Sequence, residues 1–430
     1  MCCANYVSSN RCNQVERSLN ILFVHRDFPG QFGALAERLA QSTHHRVAFI
    51  TSAANAAHAT IVVRHFHPHR QPAATTHHYL HGFEAGVLNG QAVFEACHHL
   101  AREGFTPDVI LGHCGWGVTL YLREAFPLAR LIGYFEWYYH PHNSDADYLD
   151  PAAMTPDNAC RIRTLNAPLL MTLEDVDLGL IPTAFQRSLF PQSYQHKLVT
   201  LHDGVDTDYF VPNTAANRRF DGYDYSNVNT LVTFATRGME PYRGFPEFMQ
   251  AIAGLLQEHR DVHVAIAGED QAYYSKRLPN GETYKERALR DLPGLDLTRV
   301  HFMGTLARAD YRRLLQISSV HAYLTVPFVP SWSLVEAMAC GCQIVASDTN
   351  PTREVLGDDS CARFVDHRHV GALEKVLAQS LRSDAAALQL RECARNRAVS
   401  AFSQTTLLPR WEQIITGRGE TGALENATTV

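Results

Sequence analysis

The fold class of this chain is decided by three neighbouring segments, Asn20-Ile-Leu-Phe-Val-His25, Ala34-Leu-Ala-Glu-Arg-Leu-Ala-Gln41 and Arg46-Val-Ala-Phe-Ile-Thr51. The first and third are short apolar runs typical of buried strands, and the middle one has the leucine spacing of a helix. A strand, a loop, a helix and a strand in this order predict parallel strands with a helix covering the sheet.

The same alternation continues to the end of the chain. Strand-like runs recur at 109–112, 131–135, 179–182, 197–201, 231–235, 262–267, 300–303, 320–324 and 343–346, with another apolar run at 169–173. Both halves therefore predict doubly wound, Rossmann-like α/β domains that face each other across a ligand cleft. The expected organisation is a disordered leader (1–18), an N-terminal domain (19–211), a polar linker (212–228), a C-terminal domain (229–400), a helix that packs back on the N-terminal domain (401–416) and a disordered tail (417–430).

Composition excludes several classes of protein. Of the 430 residues, 46% are hydrophobic and 19% are charged, with 10% aromatic, which is unlike a disordered chain. The net charge of -6 offers no global basic field for nucleic acid, and no apolar run reaches the length of a membrane-spanning helix. Ten scattered cysteines without a visible signal peptide predict cytosolic thiols, with Cys340 and Cys342 as buried thiols, and hence a cytoplasmic protein. We interpret the His-rich stretch at 65–81 as a solvated loop rather than a metal site.

Two arginines suit a diphosphate. Arg237 directly follows a predicted strand, and Arg243 directly precedes a predicted helix. Guanidinium groups at such a loop can make charge-assisted bonds to phosphate, and a helix N-terminus adds positive potential. Ordinary surface arginines are the alternative.

The segment Ser331-Trp-Ser-Leu-Val-Glu336 turns into a helix. Ser331 or Ser333 can cap that helix, whose first turn offers free backbone N–H groups. Glu336 could accept two hydroxyls of a ribose. The alternative is that Glu336 forms a capping box with Ser333.

His113 ends the strand at 109–112 and is followed by glycines, which predicts a position in the ligand crevice. A structural histidine is the alternative. Gly30 lies in the first strand-to-helix loop, where either close approach to a ligand or a plain turn would require a glycine. The full dinucleotide pattern and the P-loop lysine are both missing from that loop.

Together these residues resemble a retaining glycosyltransferase of family 4, with the two-domain GT-B fold, from a bacterial subgroup. The resemblance covers about residues 20–416. It is carried by Arg237 and Arg243-Gly, Ile266-Ala-Gly268, Val300-His-Phe-Met-Gly304-Thr-Leu306, Ser333-Leu-Val-Glu336 and Thr352-Arg-Glu354 in the second half, and by Ile21–Phe32, Asp108–Gly117, Gly133-Tyr-Phe-Glu136, Pro182–Pro191 and Asp203-Gly-Val-Asp206 in the first.

The resemblance implies transfer of a sugar from a nucleoside diphosphate sugar to an acceptor hydroxyl, with retention of configuration and without a metal or other cofactor. It implies that the leaving phosphate takes the acceptor proton. The implied catalytic residues are His113, Arg237 and Arg243, and Glu136 would lie on the acceptor side. The implied donor-binding residues are Gly30, Gly268, Leu306, Ser331, Trp332, Ser333, Leu334 and Glu336.

The chain departs from the family at Phe328, where relatives carry the first Glu of an E-x7-E motif. This leaves the donor sugar open, and an aromatic residue there could favour a deoxy-sugar. The acceptor could be a glycan, a lipid-linked molecule or a small molecule; no nucleic acid is expected, and peripheral membrane contact stays open. A sugar-nucleotide epimerase and a non-catalytic sugar-nucleotide-binding protein are the alternative functions.

Overall fold

The computed structural model of the chain describes residues 18–42 and 44–417. The predicted disordered leader and tail therefore lie outside the described residues, apart from Ser18 and Gly417. Cys2, Cys3 and Cys12 lie outside them as well.

In the described chain, the first half forms a seven-stranded parallel sheet with the strand order β3-β2-β1-β4-β5-β6-β7. Its strands are β1 (Leu19–Val24), β2 (His45–Thr51), β3 (Val62–His65), β4 (Val109–His113), β5 (Arg130–Tyr134), β6 (Leu178–Ile181) and β7 (Leu198–Thr200). Its helices are α1 (Gly33–Gln41), α2 (His81–Arg102), α3 (Leu122–Ala125), α4 (Pro156–Thr164), α5 (Ala167–Asp175) and α6 (Ala184–Ser188).

The apolar run of β1 is continuous because the strand is covered on both faces. Phe23 packs in one core cluster with Leu35 of α1, whereas Leu22 packs in a second cluster with Val93 of α2. Successive side chains of a strand point to opposite faces, so two helix layers are needed to bury them.

The second half repeats this plan with a six-stranded parallel sheet in the described chain, ordered β12-β11-β10-β13-β14-β15. A short antiparallel ribbon of β8 (Arg219–Phe220) and β9 (Tyr223–Asp224) precedes it. The strands are β10 (Thr230–Gly238), β11 (Val262–Glu269), β12 (Val300–Gly304), β13 (Val320–Tyr323), β14 (Ile344–Ser347) and β15 (Arg363–Val365). The helices are α7 (Phe245–Glu258), α8 (Tyr284–Asp291), α9 (Arg308–Gln316), α10 (Trp332–Ala339), α11 (Asn350–Leu356), α12 (Val370–Ser380), α13 (Ala385–Phe402) and α14 (Gln404–Thr416). The prediction of two doubly wound α/β domains is confirmed.

The chain crosses between the domains upstream of the predicted linker at 212–228. Phe210 is already buried in a core cluster of the second domain, and the Tyr223 hydroxyl donates to the Phe302 carbonyl oxygen at 3.0 Å. The predicted linker therefore packs on the second sheet, because its aromatic side chains find apolar partners there. The two crossings meet at Val205, whose N–H donates to the Phe402 carbonyl at 2.8 Å and whose carbonyl accepts the Gln404 N–H at 3.0 Å.

After the second crossing, α14 lies against the first domain. Leu407 and Trp411 are buried in the same cluster as Phe23, and the Arg38 guanidinium pairs with the Glu412 carboxylate at 2.8 Å. The chain thus returns to the domain in which it began. Within the described ranges, no helix combines the length and the apolar content that crossing a bilayer requires.

The cysteines differ from the expectation at one pair. Cys361 and Cys393 form a disulfide, with their Cα atoms 4.8 Å apart, so the prediction of free thiols throughout is wrong for them. They are separated by 32 positions, and the fold brings the loop before β15 against α13. Cys340 and Cys342 are buried free thiols, as predicted.

Candidate active site

A cavity of 1010 Å³ lies between the two domains, where the carboxyl ends of both parallel sheets meet. This is the position at which doubly wound sheets bind ligands. The residues of the sequence-based site that line this cavity are Gly30, His113, Glu136, Arg237, Arg243, Gly268, Leu306, Ser331, Trp332, Ser333 and Glu336.

Leu334 is the predicted site residue that does not line the cavity. Its side chain is fully buried in the core of the second domain, and its N–H donates to the Ser331 carbonyl at 3.0 Å. The neighbouring residues 331–333, which are the N-cap and the first two positions of α10, line the cavity. Leu334 therefore anchors α10 and offers neither a side chain nor a free N–H group to a ligand.

Arg237 and Arg243 line the cavity from the end of β10 and the loop after it. The Arg237 guanidinium lies 4.2 Å from the ring centre of Tyr273, and the Arg243 guanidinium lies 5.3 Å from that of Tyr274. Arg243 also donates to the Thr325 hydroxyl at 3.0 Å. Within the described residues neither arginine is paired with a carboxylate, so both positive charges remain for an anionic ligand.

Glu240 holds the two tyrosines beneath these arginines, a role that the sequence did not reveal. Its side chain is fully buried, and Oε2 accepts the backbone N–H groups of Tyr273, Tyr274 and Ser275 at 3.1, 2.9 and 2.7 Å. Three bonds to one carboxylate oxygen fix the course of the tyrosine loop. The sequence feature that could have indicated this role is the position of Glu240 between Arg237 and Arg243 in the chain.

Helix α10 presents its N-terminus to the cavity. It begins at Trp332 with Ser331 as the N-cap residue, and no side chain caps it. The Ser331 hydroxyl instead bonds the Ser333 hydroxyl at 2.6 Å, and the Ser331 N–H donates to the Tyr323 hydroxyl at 3.0 Å. No partner is recorded among the described residues for the N–H groups of Trp332 and Ser333, as the geometry of a helix start allows.

Glu336 lies one turn into α10, beside the cavity. The capping-box interpretation is wrong because the N-cap is Ser331, which places Glu336 beyond the position that can reach back. Burial raises the pKa of Glu336 to about 7, against the opposing effects of the Tyr311 hydroxyl and Arg308. The carboxyl group is therefore desolvated and available to accept hydroxyl donors when it is ionised.

His113 and Glu136 face the cavity from the first domain, at the ends of β4 and β5. The Nε2 atom of His113 lies 3.1 Å from Oε2 of Glu136, and the His113 ring is only 2% exposed. Burial tends to raise the pKa of Glu136, but His113 and a bond from Gln31 outweigh it and lower that pKa. Glu136 is thus a half-buried carboxylate that stays ionised.

Two residues of this side were missed by sequence reasoning, His25 and Gln31. His25 follows β1 and lies with its ring centre 4.7 Å from that of His113. Burial, together with the proximity of His113, lowers the pKa of His25 to about 4. Its place at the end of a central strand, equivalent to that of His113, was the signal that could have found it.

Glycine is required at positions 30 and 268 by the backbone conformation and by the packing of neighbouring protein atoms. Gly30 has a φ of +54°, and a Cβ there would lie 2.7 Å from the His25 ring. Gly268 has a φ of +139°, and its Cβ would lie 2.1 Å from the Thr236 carbonyl oxygen. Both glycines line the cavity, but packing alone already requires them.

Phe328 fills the place of the family's first Glu with an aromatic cluster. Its ring centre lies 4.6 Å from that of Trp137, 5.2 Å from that of Tyr242 and 5.5 Å from that of Tyr274. Trp137 belongs to the first domain and the others to the second. The Tyr242 hydroxyl also donates across the interface to Asp145 at 2.7 Å. Phe328 thereby joins the two walls of the cavity.

Two further contacts tie the domains together beside the cavity. The Trp332 indole N–H donates to the buried Asp203 carboxylate. Glu354 on α11 accepts the N–H groups of Ala184 and Phe185 at 2.6 and 2.7 Å, so it caps α6 of the other domain. Among the described residues, no group of three or more His, Cys, Asp or Glu side chains is arranged to hold a metal ion.

Comparison with known proteins agrees with this geometry. A family model described as glycosyl transferase family 4 group matches residues 43–210, and another described as glycosyl transferases group 1 matches residues 226–397. An MMP α-(1→4)-mannosyltransferase of Mycolicibacterium hassiacum is 32% identical over 237 residues, 55% of this chain and 51% of that relative. A phosphatidyl-myo-inositol mannosyltransferase of Mycobacterium leprae is 27% identical over 164 residues, 37% of this chain and 39% of that relative. The chain thus spans about half the length of the first relative and less of the second.

Solved structures share the fold over nearly the whole chain. A sucrose-phosphate synthase from Thermosynechococcus elongatus superposes with a TM-score of 0.70 at 14% identity, covering 92% of this chain and 98% of that one. The Anabaena protein HepE, solved in complex with UDP-glucose, superposes with a TM-score of 0.66 at 16% identity, covering 93% and 100%. At these identities the likeness shows the fold alone.

Proposed function

Because the chain belongs to the family 4 glycosyltransferases with the GT-B fold, we propose that it transfers a sugar from a nucleoside diphosphate sugar to an acceptor hydroxyl. The observation that carries this proposal is the convergence on one cavity of Arg237, Arg243, the uncapped start of α10 and the half-buried Glu336. A nucleoside diphosphate needs cationic groups for its phosphates and an acceptor for its ribose hydroxyls, and this cavity offers both.

The chemistry follows from charge. As the bond between sugar and phosphate breaks, negative charge develops on the leaving diphosphate. Guanidinium groups and helix N–H groups that are already in place stabilise such charge most effectively when water is excluded. In this account Arg237, Arg243 and the N–H groups at the start of α10 lower the barrier, while Glu336 holds the ribose.

We assign the remaining parts of the cavity by their position. Gly268 and Leu306 border the nucleotide, whereas Glu136 and the loop of Gly30 lie on the acceptor side, in the first domain. His113 would lie between the two substrates. Closure of the domains, through contacts such as that between Phe328 and Trp137, would exclude water and limit hydrolysis of the donor.

Retention of anomeric configuration and independence of metal are part of the proposal. In a front-face reaction the acceptor oxygen attacks the anomeric carbon on the side from which the phosphate leaves, and the departing phosphate oxygen takes the acceptor proton. The anomeric coupling constant in the proton spectrum of the product tests the first point. Activity that survives exhaustive treatment with a chelator tests the second.

The donor is to be found by screening. Relatives named as mannosyltransferases and a neighbour solved with UDP-glucose suggest nucleoside diphosphate mannoses and UDP-glucose as the first candidates. Nucleoside diphosphate deoxy-sugars follow because of Phe328. A donor that binds the folded protein raises its melting temperature, which makes a thermal-shift screen sensitive to each candidate. Glycan, lipid-linked and small-molecule acceptors are then compared in the presence of the donor that binds best.

The decisive experiment measures release of nucleoside diphosphate with and without acceptor. We expect Arg243→Ala and Glu336→Ala to lose turnover, whereas Arg260→Ala, an exposed arginine beyond α7, retains it. Near-normal turnover in both site variants would overturn the assignment. A changed sugar nucleotide formed without acceptor would indicate an epimerase, and tight binding without turnover would indicate a binding protein.

A further inference from the structure

A chain of hydrogen bonds runs through the acceptor side of the cavity and ends on Glu136. The backbone N–H of Asp27 donates to Nδ1 of His25 at 2.8 Å, and Nε2 of His25 lies 2.7 Å from Oε1 of Gln31. The Gln31 amide nitrogen then donates to Oε1 of Glu136 at 2.7 Å. From the other side, Nε2 of His113 lies 3.1 Å from Oε2 of Glu136.

The direction of these bonds is fixed by the backbone. A backbone N–H can only donate, so Nδ1 of His25 must accept and its proton must sit on Nε2. That proton can only be donated to the Gln31 oxygen, which turns the Gln31 NH₂ group towards Glu136. His113 obeys the same rule, because the N–H of Gly115 donates to its Nδ1 at 3.0 Å. Both histidines therefore take the Nε2–H form.

Glu136 is the acceptor at which both arms end. Oε1 accepts the Gln31 N–H, Nε2 of His113 lies 3.1 Å from Oε2, and an ionised carboxylate has about four acceptor sites, so lone pairs remain unused. The side chain is 27% exposed, and it lines the cavity. Its backbone carbonyl is held in turn by the Gln186 amide at 2.6 Å. The free lone pairs of a rigid, charged carboxylate thus face the space left for the acceptor.

We propose that His25 and Gln31 are positioning residues, which hold Glu136 in place to accept a hydrogen bond from the acceptor's reacting hydroxyl or from one adjacent to it. The acceptor that this carboxylate recognises is a molecule that presents a hydroxyl donor. The role of Glu136 towards an acceptor rests on the proposed function. The hydrogen-bond chain rests on the geometry alone.

A purely structural role for His25 is the competing explanation, since its ring also packs against Gly30 and Trp116. The two explanations differ in what a change at Gln31 does. If Gln31 only fills space, Gln31→Leu leaves the ionisation of Glu136 untouched. If Gln31 orients Glu136, the lost N–H donor raises the pKa of the carboxyl group. The charged and titratable groups that face Glu136 are His25, His113, Tyr134, Tyr139 and Asp203.

The kinetic test compares wild type, Gln31→Leu, His25→Phe and the double variant, with Gln41→Leu at the exposed end of α1 as the matched control. We expect the acceptor KM of Gln31→Leu to rise about tenfold or more, as for one bond to a charged group. The acid limb of acceptor kcat/KM should move to higher pH, and the donor Kd should stay within about twofold. The double variant should be no worse than the more severe single variant, because both act through one path.

Opposite outcomes overturn the proposal. An unchanged acceptor KM and an unchanged pH profile in Gln31→Leu would overturn it. A parallel loss of donor affinity and melting temperature would also overturn it, because that result marks a structural role. The tautomers are tested separately on the full chain by two-bond ¹H–¹⁵N spectra, assigned with His25→Phe and His113→Phe. We expect an unprotonated Nδ1 and a protonated Nε2 in both rings, and an Nδ1–H form of His25 would refute the chain. Correct tautomers in a protein that transfers no sugar would overturn the acceptor role and the proposed function, but not the hydrogen-bond chain.

Discussion

Replacement of Glu336 by glutamine should stabilise the empty protein and at the same time weaken its binding of nucleotide. Burial raises the pKa of this carboxyl group from its ordinary 4.5 to about 7. The folded state therefore holds the proton more tightly than the unfolded state does, so stability falls as the pH rises from about 4.5 to about 7 and stays low above that. At about 1.4 kcal/mol for each pH unit, the ionised group costs the folded protein about 3 kcal/mol at pH 8.5.

Glutamine carries no charge at any pH, so Glu336→Gln avoids this cost. We expect its melting transition at pH 8.5 to lie about 6 to 12 °C above that of wild type, the scale for about 3 kcal/mol in a domain of about 200 residues. At pH 5.5, one unit above the unfolded pKa of 4.5, about 1.4 kcal/mol of this cost is already present, so the difference should be about half as large. The nucleoside diphosphate Kd should rise about tenfold to a hundredfold at pH 8.5, because the ribose loses a charged acceptor.

The assay is scanning calorimetry at both pH values, paired with titration calorimetry of the nucleotide. Glu258→Gln, an exposed carboxyl group at the end of α7, is the matched control and should change neither quantity. If Glu336→Gln and wild type lose stability in parallel between pH 5.5 and pH 8.5, Glu336 is not a desolvated carboxyl group. If nucleotide affinity is unchanged, it does not hold the ribose.

Three more predictions follow from the site and its supports. Arg243→Ala should raise the nucleoside diphosphate Kd about tenfold to a hundredfold with little change in melting temperature, because Arg243 is paired with no carboxylate in the described chain. An unchanged Kd by titration calorimetry would contradict this prediction. Gly30→Ala should lower the unfolding free energy by about 1–3 kcal/mol, because the new Cβ meets the His25 ring at a left-handed φ; a wild-type urea midpoint would refute the clash. Glu354→Ala should remove about 1 kcal/mol of capping from α6 and speed amide hydrogen exchange at residues 184–185, and equal exchange would mean that the contact between the domains does not persist in solution.

Much of the fold could be predicted from the sequence because its strands are central. A strand such as β1 is buried on both faces and therefore reads as a continuous apolar run. The edge strand β3 escaped notice because its residues are mostly exposed or half-buried and include Arg64 and His65. The disulfide escaped because Cys361 and Cys393 meet only through the packing of α13, which no local pattern records.

Some residues of the candidate site could likewise be predicted from the sequence, and others could not. Arg243, Glu336 and His113 could be found because each follows a strand or opens a helix, where local pattern and function coincide. Glu240, His25 and Gln31 could not, because their importance lies in bonds to distant residues such as Tyr274 and Glu136. Leu334 was misassigned because the direction of a side chain at a helix start depends on which residue is the cap.

The central claim is that the cavity between the domains binds a nucleoside diphosphate. A crystal structure of the wild-type protein with a nucleoside diphosphate tests it most directly. We expect the phosphates within hydrogen-bond distance of Arg243 and of the N–H groups at the start of α10, with the ribose hydroxyls on Glu336. A nucleotide bound elsewhere, or a cavity that stays empty at saturating nucleotide, would contradict the account.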